Sequence, residues 1–338
     1  MTDTPLTTAN IMHGDALTRL AELPANSVHA VITDPPYGMT SHTDTDCLLD
    51  AWLNRRVYQE GGPGYAGNDW DNSVPGPELW RAAMRVLIPG GFILAFSAAR
   101  TAHLTATAMA LAGLDIRDTY HWTYPTSRMA SRDLGKQVRQ EYGDEAVAAQ
   151  LDGARATLRP AHEPIIVARA PLLEDTLLDN VITLGTGAIR HRKGQRPYTN
   201  LLATHEPACQ PEACITGCPI TANLFGAETT HIYPGEHLPG PTLRCDKPGK
   251  SERPVAEDGT RHDTVKPLAL TRLLVRAYTR PGDTVLDPFL GSGTTAEAAL
   301  LEQRNVVGCE MTADYHPLIE HRIARARDAA HHLEAACA

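Results

Sequence analysis

The 338-residue sequence lacks any apolar run that approaches the roughly 20 residues of a membrane-spanning helix. Its first residues, MTDTPLTTAN, lack the basic and apolar segments of a secretory signal peptide. Internal repeats and low-complexity tracts are absent too, and a composition of 42% hydrophobic and 21% charged residues is typical of globular proteins. These absences predict a cytoplasmic protein without a membrane partner.

Positive charge is scarce as well. The formal net charge is −9, and most of the acidic excess lies in residues 1–80, which by itself argues against a nucleic-acid partner. The distribution of charge matters more than its sum. One segment, IRHRKGQRP at 189–197, contains no acid and carries Arg190, Arg192, Lys193 and Arg196. A solvated loop explains such a run about as well as a binding role.

The seven cysteines are an odd number, which makes a disulfide framework a poor explanation for them. Four of them cluster, and three of these cysteines with a nearby histidine form a candidate ligand set for structural zinc: His205, Cys209, Cys214 and Cys218. Zinc accepts three thiolates and one imidazole, and a metal would stabilise a small loop-rich module. Two alternatives stay open, since Cys245 could replace the histidine and the thiols could simply be free.

Short apolar runs alternate with segments of helical periodicity over much of the chain. The predicted strands are 10–13, 28–33, 92–97, 116–124, 163–169, 283–289 and 305–310. The predicted helices are 15–23, one around 47–58, 77–87, 101–113, 267–279, one from Thr294, and 313–331. The PGG segment at 89–91 is expected to end the third helix. Repeated strand–helix units predict an α/β fold with a doubly wound, mainly parallel sheet.

Residues 172–258 break this alternation, because they are rich in Gly, Pro, Cys and His and contain few periodic segments. We therefore predict an inserted loop-rich module at 172–258 between two parts of one α/β domain, 1–171 and 259–338. The final part is too short to form a doubly wound sheet alone. Its strands must pair with those of residues 1–171, so the sheet is assembled from both ends of the chain.

The segment VLDPFLGSGTTAEAAL at 285–300 is typical of a strand, a tight glycine turn and a helix. Gly291, Gly293 and Ala296 fit the G-x-G-x-x-G/A pattern, in which glycines allow close backbone approach and helix amides face the ligand. Glu310 ends the next strand, where an acid can accept hydrogen bonds from ribose hydroxyls. The pattern predicts a nucleoside-containing cofactor, and a glycine turn without a ligand is the alternative.

The segment AVITDPPYGMT at 30–40 places an acid, Asp34, at the end of a buried strand. Ligands of open α/β sheets bind at the carboxyl ends of strands, so Asp34 and Gly291 should line one crevice. Pro35 and Pro36 have no N–H, and their rigid carbonyls beside a carboxylate would accept hydrogen bonds from an amine. Tyr37 offers a ring for stacking. The pattern predicts an amine on a heteroaromatic ring reacting with a cationic electrophile.

Together, DPPYG and DPFLGSGTT resemble the amino-directed DNA methyltransferases, which use S-adenosylmethionine (AdoMet). The order of the motifs resembles the β class of that family, and the resemblance extends over most of 10–170 and 258–325, including HDTVKPLAL and GCEMTADYHPLIEHRI. It implies a Rossmann-like sheet built from both ends of the chain and a site-specific enzyme that acts on a flipped-out base. Asp34, Pro35 and Tyr37 would hold this base, and Pro36 completes the catalytic motif.

The resemblance also assigns roles at the cofactor. Asp15 would contact its adenine, Glu310 its ribose, and Lys266 its carboxylate. The methionine part would be surrounded by residues of the glycine motif: Phe289, Gly291, Gly293 and Thr294. Asp287, in the same motif, is also expected to bind the cofactor. DNA is the implied partner, with the basic run at 190–196 as the DNA contact. A homodimer and a separate nuclease of a restriction–modification system both stay open.

Several alternatives remain at this stage. The acid-first tetrad favours adenine N6, whereas a serine-first version is commoner for cytosine N4 in this family. An RNA or protein-amide methyltransferase would share the fold. A nicotinamide-dependent dehydrogenase would explain the glycines and Glu310 but gives no role to DPPY, and the intact tetrad argues against a non-catalytic DNA-binding protein. His162 and Glu163, in HEPII, are expected to orient a loop at a strand start, since the segment departs from the metalloprotease pattern H-E-x-x-H.

Overall fold

The computed structural model describes residues 7–39, 44–58, 72–124, 131–158, 160–191, 200–203, 248–249 and 252–337. The strands are β1 (Ala9–His13), β2 (Val28–Thr33), β3 (Leu87–Phe96), β4 (Asp115–Thr123), β5 (His162–Arg169), β6 (Leu201–Ala203), β7 (Thr284–Asp287) and β8 (Asn305–Glu310). The α-helices are α1 (Ala16–Glu22), α2 (Thr45–Leu53), α3 (Pro77–Val86), α4 (Ala102–Leu111), α5 (Leu134–Glu141), α6 (Glu145–Gln150), α7 (Leu177–Leu184), α8 (Leu268–Tyr278), α9 (Thr294–Leu301) and α10 (His316–Cys337). In this part of the chain, no helix combines the length and apolarity of a membrane span.

The strands form one sheet in the order β1-β8-β7-β2-β3-β5-β4-β6. All neighbouring pairs are parallel except the two that involve β5, which runs antiparallel to β3 and to β4. The predicted mainly parallel α/β fold is therefore confirmed. The predicted assembly from both ends is confirmed as well, since β7 and β8 lie between β1 and β2, with Ala30 opposite Val285.

Strand β2 shows why the sheet carries helices on both faces. Ala30, Val31 and Ile32 are completely buried, although successive side chains of a strand point to opposite faces. Ala30 and Ile32 belong to the core cluster that includes Leu274 of α8, whereas Val31 belongs to the cluster that includes Trp80 of α3. A continuous apolar run is what a strand covered on both faces requires.

The prediction for PGG at 89–91 is wrong. Strand β3 begins at Leu87, directly after α3, and the segment lies inside the strand. Gly90 permits an irregular path there, because it has a φ of +81°, and its N–H donates to the carbonyl of Pro171 with an N···O distance of 3.0 Å. The residues that resemble a helix stop therefore form a local distortion of a strand.

Four elements are absent from the sequence prediction: α5, α6, α7 and β6. Helices α5 and α6 have only eight and six residues, and an aspartate caps the start of each, Asp133 and Asp144. Helix α7 opens the range predicted as a loop-rich module, and it contacts β3. Its Asn180 is buried and donates to the carbonyl of Pro89 at 3.2 Å, so this first part of the module range is anchored on the sheet.

Candidate active site

A cavity lies at the carboxyl edge of the parallel strands. Its walls come from the segments that follow β1, β2, β7 and β8, and from the segment that precedes α8. The lining segments include 14–16, 33–37, 264–266, 287–292 and 309–312. The topology thus brings Asp34 and Gly291, which are distant in sequence, to the same cavity, as expected for the carboxyl ends of neighbouring strands.

Asp34 directly follows β2, and its two carboxylate oxygens differ in their hydrogen-bond partners. Its Oδ2 accepts a hydrogen bond from the Lys266 ammonium at 2.5 Å. Its Oδ1 is buried and has no hydrogen-bond partner among the residues that the structure describes. A buried acceptor without a partner costs free energy, so this oxygen is available for a donor that enters the cavity.

Tyr37 presents its ring beside the same carboxylate. Its hydroxyl donates to Glu163 Oε2 at 3.2 Å, and the Lys266 Nζ lies 5.2 Å from the centre of its ring. Burial, together with the negative charges of Asp34 and Glu163, raises the pKa of Tyr37 well above its ordinary value. The phenol therefore remains a neutral donor at physiological pH.

Lys266 occupies the space between two carboxylates. Its Nζ lies 2.5 Å from Asp34 Oδ2 and 3.6 Å from Glu163 Oε2, and its side chain is only 10% exposed. Burial alone would lower the pKa of Lys266, but Asp34 and Glu163 raise it above its ordinary value. The sequence places Lys266 at the carboxylate of the cofactor, whereas the structure shows its ammonium bonded to Asp34.

The glycine turn after β7 forms a close-fitting cradle. Gly291 and Gly293 have φ values of +54° and +86°, which favour glycine. A Cβ on Gly291 would lie 2.8 Å from His262 Nε2, and a Cβ on Gly293 would lie 3.0 Å from the Cα of Ile319. Burial and the charge of Lys266 lower the pKa of His262 to about 4, so a neutral imidazole covers the turn.

Two carboxylates flank this turn. Glu310, at the end of β8, accepts from the Gly291 N–H at 2.7 Å through Oε2 and from the Thr312 N–H at 2.8 Å through Oε1. An ionised carboxylate offers about four acceptor positions, so both oxygens can still accept hydroxyl donors. Asp15, after β1, caps α1 by accepting the Thr18 N–H at 2.9 Å and lines the same cavity.

Asp287 is a third carboxylate, but it is buried and bonded within the fold. It is 2% exposed and accepts the Thr33 hydroxyl at 2.6 Å and the Phe289 N–H at 3.0 Å. Burial raises the pKa of Asp287 to about 6 against the opposing effect of these hydrogen bonds. It joins the ends of β2 and β7, and so fixes Asp34 relative to the glycine turn.

A profile of a protein family described as DNA methylase matches residues 28–321. The chain belongs to this family. It is 26% identical over 332 residues to the type II methyltransferase M.HindIII of Haemophilus influenzae, covering 93% of this chain and 94% of that protein. It is 24% identical over 313 residues to the DNA adenine methyltransferase YhdJ of Escherichia coli, covering 90% and 79%. The PvuII DNA methyltransferase structure, described as cytosine-N4-specific, aligns over 95% of this chain and 91% of its own with 14% identity and a TM-score of 0.49.

Membership of the DNA methylase family confirms the resemblance drawn from DPPYG and DPFLGSGTT: this is an AdoMet-dependent DNA methyltransferase. A Cβ on residue 291 would occupy the space that Gly291 leaves open in the cradle. The Glu310 carboxylate beside it can still accept further hydrogen bonds. These features match the requirements of a nucleoside cofactor.

Arg190 lies away from this cavity. Its N–H donates to the carbonyl of Ala277 at 2.7 Å, near the end of α8, and its guanidinium donates to the carbonyl of Gly185 at 3.2 Å. Because α8 leads into the amino end of β7, Arg190 is at the opposite edge of the sheet from Asp34. The other three residues of the basic run, Arg192, Lys193 and Arg196, lie outside the described residues, as do His205, Cys209, Cys214, Cys218 and Cys245.

Glu163 is a site residue that the sequence prediction missed. HEPII was expected only to orient a loop, but the Glu163 carboxylate contacts both Tyr37 and Lys266. Strand β5 is antiparallel to its neighbours, so its amino end lies at the edge where the parallel strands end. An acid at a strand start is a usable signal only once the direction of that strand is known.

Proposed function

We propose that the protein transfers the methyl group of AdoMet to the exocyclic N6 of adenine in a base flipped out of DNA. The observation that carries this proposal is the buried Asp34 Oδ1, an acceptor without a partner in the described part of the chain, at the cavity that holds the glycine cradle. The acid-first tetrad and the similarity to YhdJ, a DNA adenine methyltransferase, support adenine over cytosine.

The cofactor residues take their proposed roles from the family resemblance, and their places in the cavity wall support these roles. AdoMet supplies an electrophilic methyl group on a sulfonium. Glu310 would accept the ribose hydroxyls and Asp15 the adenine amine, while Phe289 and Thr294 line the wall near the cradle. The backbone of the Gly291–Gly293 turn would lie against the methionine part. Asp287 would hold this wall in place without contacting the cofactor itself.

The target amine is a poor nucleophile, because its lone pair is delocalised into the ring. Asp34 Oδ1 would accept one of its hydrogens and the Pro35 carbonyl the other, which localises the lone pair toward the methyl donor. Tyr37 would stack on the base. Asp34 would then take or relay the proton that the methylated amine loses. Extruding the base from the duplex costs a few kcal/mol, which contacts elsewhere on the DNA must offset.

The finer features beyond this cavity stay proposals drawn from the sequence. Residues 172–258 would read the DNA sequence, the basic run would contact phosphates through Arg192, Lys193 and Arg196, and structural zinc would be bound at Cys209, Cys214 and Cys218 with His205. Arg190 is better placed to anchor the start of this run than to contact DNA, because its backbone bonds near the end of α8 and its side chain at the end of α7.

The roles assigned to Asp34 and to the cradle can be separated by one substitution. Asp34→Ala removes the acceptor and should reduce methyl transfer to DNA by at least about 100-fold, while AdoMet affinity measured by calorimetry stays close to wild type. Asp115→Ala, at an exposed carboxylate at the start of β4, is the control and should leave both quantities unchanged. Loss of transfer together with loss of AdoMet binding would count against this division of roles.

A further inference from the structure

Strand β5 brings one more charged side chain into the reaction site. Glu163 is the second residue of β5 and pairs across the sheet with Trp122 of β4. Its side chain is 19% exposed and its Oε2 faces two groups of the site, the Tyr37 hydroxyl at 3.2 Å and the Lys266 ammonium at 3.6 Å. Neither contact depends on the loop that HEPII was expected to orient.

The charges of this cluster do not cancel. Asp34 and Glu163 are two carboxylates that share the single ammonium of Lys266, which leaves one net negative charge. The reaction brings a sulfonium to this place and develops positive charge on the attacking amine, so a net negative site favours the transition state. Without Glu163, the Lys266 ammonium would neutralise Asp34 and the cluster would carry no net charge.

We propose that Glu163 is a positioning residue for methyl transfer: it holds Lys266 and Tyr37 in place and balances the ammonium, so that Asp34 keeps a charged oxygen free for the target amine. This inference rests on the proposed function of Asp34. Glu163 touches neither the base nor the cofactor in this scheme. It acts through Lys266, which bonds Asp34 Oδ2 and leaves Oδ1 open, and through the Tyr37 hydroxyl.

The test compares Glu163→Gln, Glu163→Asp and wild type. Glutamine keeps an acceptor for the Tyr37 hydroxyl but removes the charge, so kcat should fall roughly 10- to 100-fold while KM for AdoMet stays unchanged. Aspartate keeps the charge and should restore part of the rate. Glu145→Gln, at an exposed helix position, is the matched control and should behave as wild type.

A second readout does not require methyl transfer. The groups that face Lys266 are Asp34, Tyr37, Glu163, Phe96 and His262. Because Asp34 and Glu163 both raise the pKa of Lys266, Glu163→Gln should move its deprotonation to lower pH, and Glu163→Asp should not. The measurement is an NMR titration of ¹³C-labelled lysine over the alkaline range in which circular dichroism shows an intact fold.

The assignment of the resonances is practical because the chain has few lysines: Lys136, Lys193, Lys247, Lys250 and Lys266. Lys266→Arg identifies the relevant signal. An unchanged Lys266 titration in Glu163→Gln, or a kcat within twofold of wild type, would overturn the role of Glu163. A wild-type protein that methylates no DNA would instead overturn the proposed function, and the titration would still decide whether Glu163 governs the charge of Lys266.

Discussion

The carboxylates of the site differ in what surrounds each of them. Asp287 is sealed from solvent and accepts hydrogen bonds from Thr33 and Phe289 through Oδ1, whereas Asp34 has one buried oxygen without a partner in the described residues. The first is suited to hold strands together and the second to bind a donor. Both follow an apolar strand and precede a proline, so the sequence alone marks them as equivalent.

Asp287→Asn should change how stability depends on pH. The pKa of Asp287 is about 6 in the folded protein against an ordinary value of 3.8, so the folded state binds its proton more tightly than the unfolded state. The contribution of Asp287 to the free energy of unfolding is fully present below about pH 4. It is lost as the pH rises through 6, and the total decrease is about 3 kcal/mol. Asparagine cannot ionise and should lack this loss.

The measurement is urea unfolding of wild type and Asp287→Asn at a series of pH values between 4 and 7. Asparagine adds a constant penalty for its poorer match to the donors Thr33 and Phe289, and only the pH-dependent part of the difference is informative. The free energy of unfolding of the wild type should decrease relative to that of the variant as pH rises. A difference that stays constant over this range would show that Asp287 is not the group that titrates.

The turn between β7 and α9 is the element whose backbone matters most for the cofactor. Gly291→Ala should introduce backbone strain of about 1 kcal/mol and push against His262, since a Cβ there lies 2.8 Å from Nε2. His262 is packed on Tyr315, with ring centres 4.7 Å apart, so it cannot move freely. AdoMet affinity should fall by about tenfold or more, because the cradle narrows.

Gly143→Ala provides the matched control. Gly143 has a similar φ of +67°, but nothing lies within 4 Å of the position of its Cβ. It should destabilise the fold by a comparable amount in thermal unfolding and leave AdoMet affinity unchanged. Equal losses of AdoMet affinity in both variants would mean that global stability, and not the shape of the cradle, controls cofactor binding.

The strands and helices differ in how well the sequence predicted them. Strands β2 and β8 were predicted at their observed bounds because apolar runs and flanking turn residues define them. The role of Glu163 was not predicted, because apolar periodicity carries no information about strand direction. Helix α7 was missed, and its apolar side chains Leu178 and Ile182 are exposed, so they do not mark the face that lies on the sheet.

At the scale of the whole molecule, the two ends of the chain depend on each other. The β2 strand pairs with β7, and α8 packs its Leu270 and Leu274 into the core cluster that contains Ala30 and Ile32. A fragment of residues 1–258 should therefore unfold without cooperativity and bind no AdoMet, as measured by calorimetry and circular dichroism. Cooperative unfolding of this fragment near the midpoint of the full chain would contradict assembly from both ends.

The central claim is that the target is adenine N6, with Asp34 as the acceptor for its amine. The most direct measurement is to incubate the full chain with AdoMet carrying a labelled methyl group and DNA of mixed sequence, then to hydrolyse the DNA and identify the labelled nucleoside by mass spectrometry. We predict label in N6-methyladenine, and its absence when Asp34 is replaced by alanine. Label in N4-methylcytosine, or in no DNA base, would contradict the claim.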